Sequence, residues 1–255
     1  MIKSSAPIGV FDSGVGGLSV LAELVRQMPR EDYIYLGDRK NAPYGSRTTE
    51  EVLRLSEENA KRLIDLGAKC LVIACNTATA AAADRLRHTY ASIPIVGIEP
   101  AVKPAAHSHC RRVAVLATPR TVESARFAEL LRANSTECEL VPVPCPSLAG
   151  MIERGEDVRD YLSEILSGVG DFDGIVLGCT HYPFVKNEIL AAVGREVEIF
   201  DGAIGTAAQA KRRLEALGLL SDSGEGKISF ISTDGDDAYI EKFFKEVTKC
   251  LFPKM

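Results

Sequence analysis

A chain of 255 residues, 46% apolar and 25% charged, holds enough hydrophobic material for one large domain or two small ones. Its net charge of −5 gives no basic footprint for nucleic acid, and no apolar run approaches the ~18 residues of a membrane span. The 7 cysteines are irregularly spaced, form no Cys-x-x-Cys pair and follow no secretion-signal core, so reduced thiols in a cytoplasmic protein are expected.

The first strand is expected at IGVF from Ile8. It ends in Asp12 and Ser13, and the glycines of DSGVGG lead into a helix whose Leu18, Leu21, Val25 and Met28 share one face. This is not a dinucleotide fingerprint, because Ser19 holds the third glycine place after Gly14 and Gly16. A phosphatase Asp-x-Asp also fails, since Gly14 replaces the second aspartate. YIYLG from Tyr33 is the next strand, and the polar turn that follows it offers Pro43, Tyr44, Gly45 and Ser46 as a substrate loop. Val52, Leu55, Leu63 and Leu66 predict a helix after Thr49. CLVIA from Cys70 runs into Cys75 and an alanine-rich helix. IVGI from Ile95 leads to Pro100 and Pro104, an expected hinge.

Beyond the hinge, VAVLA from Val113 delivers Thr118 and Thr121, whose hydroxyls could hold a carboxylate. ELVPV from Glu139 follows, then GIVLG from Gly174, which delivers Cys179, Thr180 and His181. VEIF from Val197 and KISFIS from Lys227 complete the strands. Most are continuous apolar runs, the pattern of strands buried on both faces. Their alternation with helices predicts an α/β fold with mostly parallel sheets flanked by helices. The strand–Cys–helix pattern on both sides of the hinge suggests two similar halves. Lys211-Arg212-Arg213 reads as a solvated helix face, and His107-Ser108-His109-Cys110 as a surface loop.

In open parallel sheets ligands bind beyond the carboxyl ends of the strands, where Cys75 and Cys179 both stand. Asn76 or Thr77 is expected to cap the helix after Cys75, and Thr180 the turn after Cys179. Amides at a helix start attract a carboxylate and favour a thiolate. Cys70, Cys110, Cys138, Cys145 and Cys250 lack such turns and read as small buried hydrophobes. A metal would need more ligands than His181 adds. A phosphatase cysteine loop fails, because Ala81 stands where its arginine belongs. A cysteine hydrolase would use one cysteine with His181 as base and leave the other idle. Thiol redox chemistry is disfavoured by the missing Cys-x-x-Cys. Two-base proton transfer at one carbon uses both thiols.

FDSGVGG, APYGS, ACNTATA, LATPRTV, GCTHYP, DGAIGTA and STDGDDAYIEKF together resemble the glutamate racemase family across essentially the whole chain. Arg39-Lys40-Asn41 departs from the family pattern, and DGAIGTA is a looser match. The resemblance implies interconversion of L- and D-glutamate without cofactor or metal, supplying D-glutamate for peptidoglycan. It implies that Cys75 takes the α-proton of D-glutamate and Cys179 that of L-glutamate, assisted by Asp12 and His181. Asp12, Ser13, Pro43, Tyr44, Gly45, Ser46, Asn76, Thr77, Thr118, Thr121, Thr180 and His181 match its substrate-binding positions, with Glu153 behind His181. It further implies a site in the cleft between two domains, 1–99 plus 211–255 and 100–210, and a homodimer. The rivals are an aspartate racemase or another two-cysteine racemase, and a non-catalytic regulatory binding protein.

Overall fold

The computed structural model describes residues 3–134, 138–222 and 226–251. The first elements are β1 (Ile8–Asp12), α1 (Leu18–Gln27), β2 (Tyr33–Gly37), α2 (Thr49–Asp65), β3 (Cys70–Ile73), α3 (Asn76–Thr89) and β4 (Ile95–Gly97). Next come α4 (Val102–Ala106), β5 (Arg112–Ala117), α5 (Pro119–Val122), α6 (Ala125–Ala133), β6 (Glu139–Pro144), α7 (Leu148–Glu153) and α8 (Arg159–Ser167). The chain finishes with β7 (Gly174–Leu177), α9 (Lys186–Val193), β8 (Glu198–Asp201), α10 (Ala203–Ala216), β9 (Ile228–Ser232) and α11 (Asp237–Leu251).

Every expected apolar run forms a strand, and all strand pairs are parallel. They build a five-stranded sheet, β4-β3-β1-β2-β9, and a four-stranded sheet, β6-β5-β7-β8. The two share one winding order. β2-β1-β3-β4 in the first corresponds to β6-β5-β7-β8 in the second, and β9 extends the free edge of β2. Winding direction reverses between β1 and β3 and again between β5 and β7. Such reversals open a crevice at the carboxyl ends of the strands.

Both faces of each sheet are covered, which is why the strands are apolar throughout. Ile8 and Val10 of β1 join one core cluster, and Phe11 joins the cluster on the other face. The second sheet is packed the same way, with Ala114 and Leu116 on one side and Val113 and Val115 on the other. α2 starts at a capping box: Thr48 accepts from the Glu51 amide, and the Glu51 carboxylate accepts from the Thr48 amide. Val52, Leu55 and Leu63 face the core, but Leu66 lies past the end of the helix and is 49% exposed, contrary to its apolar spacing.

The chain passes from the first sheet to the second at 98–101 and returns at Gly202. α10 follows β8 directly, yet its Ala203, Ala207, Ala210 and Leu214 pack with Leu18, Leu21 and Leu24 of α1. The two crossings touch: a Cβ on Gly202 would lie 2.5 Å from the Glu99 carbonyl oxygen. At the opposite end of the first sheet the Lys69 ammonium is fully buried against Glu31 at 2.5 Å and also donates to the Ser4 carbonyl. The Ser221 amide donates to the other Glu31 oxygen at 2.7 Å. Among the described residues no helix is long and apolar enough to cross a membrane.

Candidate active site

The equivalent strands β3 and β7 each deliver a cysteine to the crevice. Cys75 is itself the N-cap of α3, its sulfur accepting from the Ala78 amide at 3.4 Å. The expected caps, Asn76 and Thr77, are instead the first residues of the helix and are free to face the crevice. The Cys75 thiol donates to the Ser13 hydroxyl at 3.8 Å, and Ser13 donates to Asp12 at 3.3 Å. Cys179 stands 3.6 Å from Nδ1 of His181, whose Nε2 is 2.7 Å from a Glu153 carboxylate oxygen. That oxygen also accepts from the Val15 amide at 2.9 Å. Thr180 does not cap its turn; its hydroxyl donates to Asp12 at 3.1 Å, linking the two halves.

A second link is made of hydroxyls. Thr77 lies 3.0 Å from Thr118 and 3.4 Å from Thr121, and Thr118 lies 3.0 Å from Thr121. All three are buried. Beside them Asn76 is only 4% exposed, yet neither its amide nitrogen nor its oxygen has a partner. Buried polar groups are otherwise satisfied almost without exception, so an orphaned amide beside neutral donors marks a place for a polar ligand.

The glycines of DSGVGG now have a physical account. A Cβ on Gly14 would lie 1.9 Å from Glu153, and one on Gly16 would lie 2.6 Å from both His181 and Thr180. The loop is bare so that the second half can close against it. Gly45 does the same on the other side, where a Cβ would meet the Thr118 side chain at 2.9 Å. Of the expected loop, Gly45 therefore reaches Thr118, and Pro43 follows Ala42 through a cis peptide bond. The Tyr44 hydroxyl turns away to Asp38 and Asn59. Ser46 is exposed, its hydroxyl on the Pro43 carbonyl. Asp38, which also accepts from Asn41 and Thr233, was missed in the sequence, although it follows a strand end just as Ser13 does.

Burial pushes the Cys75 thiol up to about 12, with Asp12 and Cys179 adding to it against the Ala78 amide and Ser13 hydroxyl. Burial also raises Asp12, with His181 opposing. For His181 burial works against the charged form, but hydrogen bonds to Cys179 and Glu153 outweigh it and hold the imidazole well above its usual range. Burial is likewise overcome at Glu153, where His181, the Val15 amide and Arg39 keep the carboxyl low. One thiol thus sits beside a carboxylate and stays protonated, and the other sits beside an imidazolium. Such a pair can donate a proton at one end and accept one at the other.

The remaining cysteines Cys70, Cys110, Cys138 and Cys145 are buried, while the Cys250 side chain lies outside the described residues. His107 and His109 are exposed.

Residues 8–211 match the family model described as Asp/Glu/Hydantoin racemase. The chain is 45% identical over 249 residues to a glutamate racemase of Clostridium acetobutylicum, covering 94% of this chain and 97% of the other. Among solved structures it superposes on the Francisella tularensis glutamate racemase in complex with D-glutamate, with TM-score 0.84, 30% identity and coverage of 95% and 94%. The Escherichia coli glutamate racemase, in complex with L-glutamate and an activator, gives 0.81 at 29% identity, covering 95% of each chain.

Proposed function

This chain belongs to the Asp/Glu/hydantoin racemase family, and on that premise we propose how its two thiols interconvert L- and D-glutamate. The activity is amino-acid isomerisation by the family's two-cysteine mechanism, and its product D-glutamate serves peptidoglycan synthesis. The observation that carries the assignment of roles is the equivalence of Cys75 and Cys179, each following the same strand of a repeated winding order.

The α-hydrogen of an amino acid is very weakly acidic, so both the base and the developing charge need help. Cys179, 3.6 Å from the His181 imidazolium, acts as the base and takes the α-proton of L-glutamate. The electron pair left on the α-carbon spreads into the α-carboxylate, where fixed amide and hydroxyl donors meet it. The Cys75 thiol gives its proton to the opposite face. D-glutamate leaves, with Cys75 a thiolate and Cys179 a thiol, and the reverse reaction starts from that state. His181, held by Glu153, steadies the charge at Cys179; Asp12, through Ser13, faces Cys75. Asn76, Thr77, Thr118, Thr121 and Thr180 bind the substrate's polar groups, with Gly45 of the loop 43–46 closing over them. The thiols are strong bases here because a dry crevice strips their hydration.

We further propose a homodimer in the cytoplasm. We place the division into two units at 1–99 and 100–210, with 211–255 returning to the first, and add the start of α10 to that return because it packs on α1. Heavy water tests the chemistry. With either glutamate enantiomer, deuterium should enter the α-carbon and chirality should interconvert, whereas D-aspartate should do neither. Exchange of aspartate but not glutamate would transfer the assignment to an aspartate racemase.

A further inference from the structure

Arg39, apart from its charge near Glu153, and the segment STDGDDAYIEKF have no role in the chemistry above, yet they meet in one row of contacts. The Arg39 guanidinium lies 3.9 Å above the centre of the Tyr239 ring and pairs with Asp234 at 2.9 Å. Tyr239 stacks on Phe243 one helical turn along α11, with ring centres 6.1 Å apart. Phe243 meets Phe184 edge to face at 5.3 Å. Phe184 is the far end of the row and belongs to the other half: it lies in the turn Tyr182–Val185, and its amide donates to the His181 carbonyl at 3.1 Å. Its ring nonetheless packs into the core cluster of the first sheet. The near end, Arg39, directly follows Asp38, which holds Tyr44 of the substrate loop. The row therefore runs outside the crevice from one wall to the other.

Resting on the racemase reading, we propose that α11 braces the His181 turn against the first sheet through Arg39, Tyr239, Phe243 and Phe184. These four are positioning residues for the Cys179 side of the reaction. Offset and edge-to-face aromatic contacts and a cation over a ring are directional, so they fix an angle as well as a distance. Cys75, whose helix is tied into the first sheet independently, gains nothing from the row.

That asymmetry supplies the test. In Phe243→Leu and Tyr239→Leu, kcat/KM should fall by about three- to tenfold, the scale of one lost aromatic contact. The fall must be equal in both directions, because the enantiomers are equal in energy. The primary isotope effect with α-deuterated L-glutamate should rise, because abstraction by Cys179 becomes more limiting, while that with α-deuterated D-glutamate should shrink. Tyr239→Phe, which keeps the ring, should match the unsubstituted chain. Arg39→Gln, at a side chain only 21% exposed that also carries charge near Glu153, should move both isotope effects in the same senses. Isotope effects that stay put or move together overturn the proposal. A readout independent of turnover separates this from the functional reading: the ¹⁵N resonances of the His181 imidazole should shift in both leucine variants and not in Tyr239→Phe. Unchanged resonances overturn the bracing role whether or not the chain acts on glutamate. Failure of the unsubstituted chain to racemise would sink the functional reading alone.

Discussion

Cys75→Ala and Cys179→Ala each remove one of two opposed bases, so racemisation of both enantiomers should fall below detection by circular dichroism at the substrate band. Full activity in either variant would end the two-base account. Asn76 separates binding from stability at a single side chain. Its amide is buried and unpartnered, so Asn76→Ala deletes unsatisfied atoms and should leave the melting temperature unchanged or higher. The same change should raise KM by about tenfold or more, because a glutamate group loses its partner. Initial rates and calorimetry on one preparation would check both. At this scale the sequence was half readable. Polar residues flanking a strand-end cysteine pointed to the crevice, but a thiol acting as its own helix cap was hidden by better-known caps beside it. The Tyr44 hydroxyl turning to Asp38 and Asn59 was equally hidden, since Asn59 comes from the middle of α2 and Asp38 from the far end of the same loop.

Among the elements, the start of β3 carries the most exacting polar arrangement. Lys69, Glu31, the Ser4 carbonyl and the Ser221 amide hydrogen-bond directly to one another. Lys69→Met leaves Glu31 charged and buried without its cation, which should destabilise the chain by about 3–5 kcal/mol in urea melts. Adding Glu31→Leu should recover part of that, because a buried pair is worth little over apolar residues of similar volume. A single and a double variant of equal stability would contradict this. All the strands were readable, because burial on both faces leaves continuous apolar runs. What could not be read is where α10 packs. Its alanine face fits either sheet, and only the contact with α1 decides. The loop glycines were recognised as a loop but not explained, because Gly14 and Gly16 are bare for the sake of Glu153, Thr180 and His181, far along the chain.

For the whole molecule, buried thiols set a limit at high pH. Burial raises Cys70, Cys75 and Cys145 from the ordinary 9.0 to about 12. In the unfolded chain these thiols lose their protons near pH 9, while the folded chain keeps them. Between those values the unfolded state binds fewer protons, so folding stability should decline as pH rises from about 9 towards 12 and be unaffected by these groups below 9. Urea melts at pH 8 and pH 10 would show it, and Cys70→Ala should lessen the slope. The shape of the molecule carries one more consequence. Its two halves are joined by two backbones lying side by side at Glu99 and Gly202. A pair of parallel ties allows the halves to swing like the covers of a book about its spine and resists their sliding or twisting past each other. Opening is then a single coordinate, and each closing returns both thiols to the same opposed alignment. The spine and the contacts along α11 together set that alignment, whichever way the enclosed molecule faces the two thiols.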